Sequence, residues 1–188
     1  MANNRFNVKN VHYAVNTTNE GGEVTRGTPK KIAGAMKVSV NPTVSNGKLY
    51  GDGVVSDEVN KMTGAGISIE MNKIPTDVVN EIFGKTKDPT TGITKDNSDN
   101  EPIEFSLGWE VELTGGGSEF VWFTKCKAQP IQNEVQQGTD NINFSTDTLN
   151  ITAMPDENGD IRLFGETIDK TFKCANTWFK SIPPTAQV

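Results

Sequence analysis

The sequence predicts a mainly β fold, antiparallel in its clearest part, with two short helices, and three observations carry that prediction. Residues 103–113, IEFSLGWEVEL, alternate strictly: Ile103, Phe105, Leu107, Trp109, Val111 and Leu113 are apolar, and Glu104, Ser106, Gly108, Glu110 and Glu112 stand between them. Such a period places the two sets on opposite faces of a strand, one buried and one wet. The link TGGGS then leads into EFVWFTKCKA, and a Gly-rich connection between two strand-like runs marks an antiparallel hairpin. Only 34% of the 188 residues are hydrophobic, while Asn, Thr, Gly and Asp are plentiful. That mix suits many short strands joined by polar turns.

The elements follow in order. Val11, Tyr13 and Val15 share one face of a first strand, and TRGTPKK is a turn. Met36, Val38 and Val40 alternate with polar residues in a second strand. Residues 46–64 read as a long polar loop, with only Leu49 and Tyr50 strand-like at its start. Ile67, Ile69 and Met71 mark the next strand, with Glu70 on its polar side. In KIPTDVVNEIFG the period changes, and Val78, Val79, Ile82 and Phe83 gather on one helical face. Pro75 suits its first turn, Asp77 complements the positive end of the helix dipole, and Gly84 suits the position just past its end.

GKTKDPTTGITKDNSDNEP reads as a loop or weak hairpin. After the central hairpin, in which Phe120, Trp122 and Cys126 are expected to share a face, Ile142 and Phe144 alternate on even positions. Leu149, Ile151 and Ala153 alternate on odd ones, so a bulge is expected near Asp147. MPDENGDIRLFG reads as another hairpin, and IDKTFKCANTWFKSIPP as a short C-terminal helix stopped by Pro183 and Pro184. With no internal repeat and no linker, residues 1–188 are expected to form a single domain.

Charge and motifs exclude several functions. A net charge of −6, with Lys30 and Lys31 as the only basic doublet, does not make a phosphate-gripping footprint. The N-terminus MANNRFNVKN lacks an apolar core of signal-peptide length, and no run approaches a membrane span. Production in the cytoplasm and no membrane partner are therefore expected. Cys126 and Cys174 sit in unrelated contexts and are expected to be free thiols. His12 is the lone histidine, opposite in phase to Val11 and Tyr13, and no G-x-S-x-G or Walker motif is present. GAGIS precedes a strand, so it cannot cradle phosphate at a helix start. DENGD has Asp156, Asn158 and Asp160 at calcium-loop spacing, but Ile161 replaces the required Gly and Thr167 the bidentate Glu. No cofactor and no metal site are expected.

The acidic side of residues 103–113 admits three readings. Glu110 and Glu112 point the same way, roughly 7 Å apart on a strand, a spacing that also suits a glycosidase carboxylate pair. No cleft of sugar-stacking aromatics accompanies them, since Trp109 belongs to the apolar face. The other readings are an ordinary solvated face and an acidic wall with a task.

Segments along most of the chain carry a resemblance. NNRFNVKNVHYAV, GTPKKIAGA, LYGDG and GAGISIEMNKIPTDVVNEIFG are followed by FSLGWEVE, FVWFTKCKAQP, TDTLNITAMP and NTWFKSI. In this order and spacing, over about residues 3 to 182, the chain resembles the major tail proteins (tail tube proteins) of long non-contractile-tailed bacteriophages of Gram-positive hosts. The family often has aromatic residues after an ADN-like stretch; here the equivalent, GDGVVSDEV, has none.

The resemblance implies an antiparallel β-sandwich or partly closed barrel with a short side-packed helix. It implies a structural virion protein rather than an enzyme, found in the phage tail and assembled in the bacterial cytoplasm. Its implied partners are further copies of itself in stacked hexameric rings, together with tail tip or initiator, ruler and terminator proteins. Double-stranded DNA would pass through the tube without specific binding. An acidic lumen fits that task, because a basic wall would gain affinity with each phosphate neutralised. Glu104, Glu110 and Glu112, with Glu70, are accordingly the candidate lumen residues. The N-terminal arm, residues 1–10, and the stretch 46–64 are expected to order on assembly, making Arg5, Phe6, Tyr50, Asp52, Val54 and Val55 candidate assembly contacts. A soluble β-sandwich module binding carbohydrate or a surface partner is the alternative.

Overall fold

The computed structural model describes residues 3–52, 54–131 and 145–183. In chain order they form β1 (Arg5–Thr18), β2 (Val24–Arg26), β3 (Lys30–Lys31), β4 (Ala35–Gly51), β5 (Val54–Met71), α1 (Thr76–Ile82), β6 (Thr86–Lys87), β7 (Thr94–Lys95), β8 (Phe105–Leu113), β9 (Ser118–Ala128), β10 (Asp147–Met154) and β11 (Arg162–Glu166). A nine-stranded sheet runs β2-β1-β8-β9-β10-β5-β4, with β3 on β1 and β11 on β9, while β6 and β7 form a small separate hairpin. Its pairings are all antiparallel. β1 and β4 approach each other without pairing, so the sheet curls without closing into a barrel.

The main core fills the inside of this curl. Phe105, Leu107 and Trp109 of β8 meet Val11 and Tyr13 of β1, Ile67, Ile69 and Met71 of β5, and Leu149 and Ile151 of β10. α1 closes it with Val78 and Ile82, and Ile74 and Phe83 join from either side of the helix. Pro75 stands at the N-cap, and Gly84 leaves the helix at φ 60°, a left-handed geometry that costs glycine little. The Tyr13 hydroxyl donates to Glu81 Oε2 at 2.6 Å, tying helix to sheet.

A second, smaller core lies on the opposite face. Phe120 and Trp122 project from β9 away from the main core and are covered by Phe172, Trp178 and Phe179. The Trp122 indole N–H donates to the Trp178 carbonyl at 2.9 Å. β9 is therefore buried on both sides.

Five expectations need correction. Residues 46–51 and 54–64 are not a loop: they belong to β4 and β5, which pair from Ala35/Met71 to Gly51/Val54. A ribbon wet on both faces has no hydrophobic alternation to read, and its backbone pairing leaves no trace in composition. The N-terminal arm becomes strand from Arg5, paired with β8. Cys126 does not share the face of Phe120 and Trp122, because Leu107 faces Phe123 while Phe105 faces Cys126; the extra residue in β9 reverses its phase and turns Cys126 into the main core.

MPDENGDIRLFG is not a hairpin, since β10 and β11 do not pair with each other. They lie end to end along one edge of β9, Met154 opposite Lys125 and Arg162 opposite Phe123. The predicted C-terminal helix is a run of turns. Asp169 Oδ1 accepts from both the amide and the hydroxyl of Thr171, a local arrangement that competes with helix. Ile142 and Phe144, and with them the phase change expected near Asp147, lie outside the described residues.

Candidate functional site

Three features of the surface could carry function: the acidic strip of β8, the projecting β4–β5 hairpin, and the seam between β1 and β4. On the strip, β1 supplies the counter-charges. Lys9 lies opposite Glu110 in register, its Nζ 3.2 Å from Glu110 and 2.6 Å from Glu112. Asn10 donates to Glu110 Oε2 at 2.8 Å and Asn7 to Glu112 Oε2 at 2.9 Å. The hydrogen bond from Lys9, then that from Asn7, holds the Glu112 carboxyl below its ordinary range, and the same contact raises Lys9.

The wet face expected from alternation is thus only partly wet: Glu110 is 8% exposed and Ser106 is fully buried. Glu104 lies 3.8 Å from both Lys125 and Lys127, and Glu70 3.0 Å from Lys37. All four candidate carboxylates share the face away from the main core, and each has a lysine within reach.

Lys9 reaches this position through a break in β1. Asn10 has φ 52°, and the register between β1 and β8 shifts between Lys9 and His12. Asn tolerates this left-handed conformation better than most residues. The bulge lets Val8 and Val11 both face the core despite their odd separation. His12 packs its ring on Phe179, centroids 4.4 Å apart, and its Nδ1 lies 2.7 Å from the Asn10 carbonyl. Burial lowers its pKa, helped by Lys31. The residue anchors the C-terminal segment.

The hairpin is the second feature. From Val44 outward, β4 pairs only with β5, and side chains on both faces meet solvent. Leu49 is 64% exposed, Tyr50 63% and Val54 67%, with Val55 and Val59 also exposed. Asp52 turns the chain at φ 51°. Eight residues of strand from Val44 to Gly51 extend roughly 26 Å. A two-stranded ribbon is marginal in water by itself, and clustered exposed apolar side chains mark an interaction surface. Leu49, which the sequence marks only as strand-like, and Val59 are not among the candidate assembly contacts; isolated apolar residues in a polar stretch are the available signal.

At the seam, an open cavity of about 580 Å³ is lined by Val8, Val38, Trp109, Val121 and Phe123 among others. Phe6 and Met36 at its mouth are exposed. Arg5 there forks onto Glu119, with contacts of 2.6 and 2.8 Å. A second cavity, near 630 Å³, lies beside α1 and holds the Lys85–Asp96 ion pair.

The motif-like residues of the sequence have structural partners. Asp156, the first residue of the calcium-like spacing, accepts the amides of Asn158 and Asp160 and pairs with Arg26 at 2.8 Å. Among the described residues no group of three or more His, Cys, Asp or Glu could hold a metal. Both cysteines are free, and burial pushes the Cys126 thiol far up. Gly64, from GAGIS, lets β5 pass close to β10: a Cβ there would lie 2.6 Å from the Ala153 carbonyl oxygen. No helix among the described residues is long and apolar enough to cross a membrane.

Fold and surface first define a class: an antiparallel β protein whose exposed apolar side chains concentrate on a projecting ribbon. A family model described as "Phage tail tube protein" matches residues 39–181, well over half of the chain. The chain belongs to the phage tail tube protein family, a structural family of the phage tail. No curated protein matches it.

Proposed function

We propose that this chain is the repeating subunit of a phage tail tube, forming hexameric rings that stack into a hollow conduit for double-stranded DNA. The observation that carries the reading is the β4–β5 hairpin, whose apolar end lies exposed within the matched region. Such a surface makes sense in a protein that is covered by its own copies. Assembly takes place in the bacterial cytoplasm, with a tail tip or initiator complex to start it, a ruler to set length and a terminator to end it. No enzymatic step is needed.

Within this reading, the face with Glu70, Glu104, Glu110 and Glu112 lines the lumen. Its lysines are tied to these carboxylates rather than held out singly. Such a wall has few free cations to exchange for phosphate counterions, and its residual repulsion fades over about 8 Å at physiological salt. DNA then slides without being held.

Negative-stain electron microscopy of the purified chain over a concentration series tests the reading. Rings or hollow tubes are the expected result. A chain that stays monomeric, both alone and when co-expressed with the other tail proteins, would overturn it. An image of the assembled tube with the four carboxylates on its outer wall would remove the lumen assignment alone.

A further inference from the structure

We infer that the apolar end of the β4–β5 hairpin of one copy docks in the β1/β4 seam of the next copy, an inference that rests on the tube reading above. The seam offers an open cavity of about 580 Å³ with Val8, Val38, Trp109 and Phe123 in its lining. Phe6 and Met36 stand exposed at its mouth, so an apolar floor continues into an apolar lip. The hairpin supplies the matching shape, with Leu49, Tyr50, Val54 and Val55 exposed at its end.

The chain cannot satisfy its own seam. Val38, in the lining, and Tyr50, at the tip, lie on the same strand, roughly 40 Å apart by strand rise. The hairpin therefore leads away from the seam that β4 borders, and its partner is another copy.

Charge favours the same pairing. Arg5, Lys37 and Arg162 border the seam, but Arg5 is paired with Glu119 and Lys37 with Glu70. Arg162 lies over the Phe164 ring at 4.9 Å and has no carboxylate among the ion pairs of the described residues. On the hairpin, Asp52 and Asp57 have no cation among those pairs, while Glu58 has Lys48 at 3.7 Å. The acidic tip thus finds Arg162 at the mouth, an opposite charge that favours and orients the encounter. Because tip and seam are different surfaces, the contact is heterologous; repeated, it yields a closed ring or an open stack rather than a dimer.

Cysteine cross-linking tests the contact in the full chain. The variant carries Cys174→Ser to remove the exposed thiol, together with Met36→Cys and Tyr50→Cys. Oxidation of assembled particles is expected to give a ladder of multimers on a non-reducing gel. A bond within one chain is excluded, because positions 36 and 50 are roughly 45 Å apart along β4. Particles without a ladder, or with dimers only, overturn the docking and leave the tube reading standing. If the parent chain forms no particles under any condition, the tube reading falls and the docking with it. Arg162→Glu is expected to weaken the ladder and Asp57→Lys in the same chain to restore it; a ladder indifferent to both overturns the charge match.

Discussion

Trp122 donates its indole N–H to the main-chain carbonyl of Trp178 across 2.9 Å, so the largest fully buried side chain of β9 is also the anchor of the C-terminal segment. Around this bond Phe172 meets Trp178 edge-on at 5.3 Å, and Phe120 meets Phe179 at 5.9 Å. Trp178→Ala is expected to destabilise the subunit by about 3–5 kcal/mol, the range for removing a buried large aromatic. Urea denaturation measures the loss, and limited proteolysis should show faster cutting after residue 168. An unchanged midpoint would mean that the segment contributes nothing to stability.

Gly108 lies opposite Trp122 in the β8–β9 register. A Cβ at this position would sit 2.5 Å from the indole ring, and the ring is fully buried with its N–H committed to Trp178. Gly108→Ala is therefore expected to cost about 1–3 kcal/mol or more, as overpacking does. The Trp fluorescence spectrum should shift as the ring moves. Wild-type stability in this variant would show that β8 can retreat from β9 without loss.

His12 provides a pH dependence that can be assigned without ambiguity, since the chain has no other histidine. Burial depresses its pKa, and Lys31 adds to the effect, while the Asn10 carbonyl opposes it. Below the unfolded value of about 6.5 the unfolded chain takes up a proton that the folded chain resists. Stability from this group is thus complete above that pH and declines as pH falls toward the depressed folded value. His12→Phe, which keeps a ring against Phe179, should flatten this part of the stability profile. Equal slopes for both proteins between pH 7 and 5 would refute the assignment.

The hairpin end makes few contacts with the body of its own subunit, so its side chains can be changed without touching the fold. Replacing Tyr50 and Val55 by Ser is expected to leave stability within about 0.5 kcal/mol of the parent, as for ordinary surface changes. The same variant should lose assembly. Thermal denaturation and electron microscopy on one preparation separate the two effects. Normal tubes from it would show that the exposed apolar end is not an assembly contact.

What was legible in the sequence was legible where one face is buried and the other is not. Phe105 to Leu113 announced their strand, and TGGGS its turn, because alternation and glycine report directly on half-burial and on turn geometry. Val78 and Ile82 announced α1 for the same reason. The β4–β5 ribbon escaped because neither face is buried in the subunit, so no period was imposed on it. β9 was misread in its second half because one bulged residue reverses every later side chain. Around Glu110, alternation placed the carboxylate on the correct face. It carried no information about Lys9 and Asn10, which come from a strand a hundred residues earlier and reach Glu110 beside the Asn10 bulge. Tyr50, Val54 and Val55 were picked out by resemblance, and their exposure appears only in the fold.

The double burial of β9 also bears on synthesis. β8 and β9 are close in sequence and pair with each other, whereas Phe120 and Trp122 are covered by residues 172–179. A chain arrested before that point carries a naked aromatic stripe and invites capture by chaperones or proteases. The aromatic stripe of β9 thus depends for its cover on residues about fifty positions later in the chain.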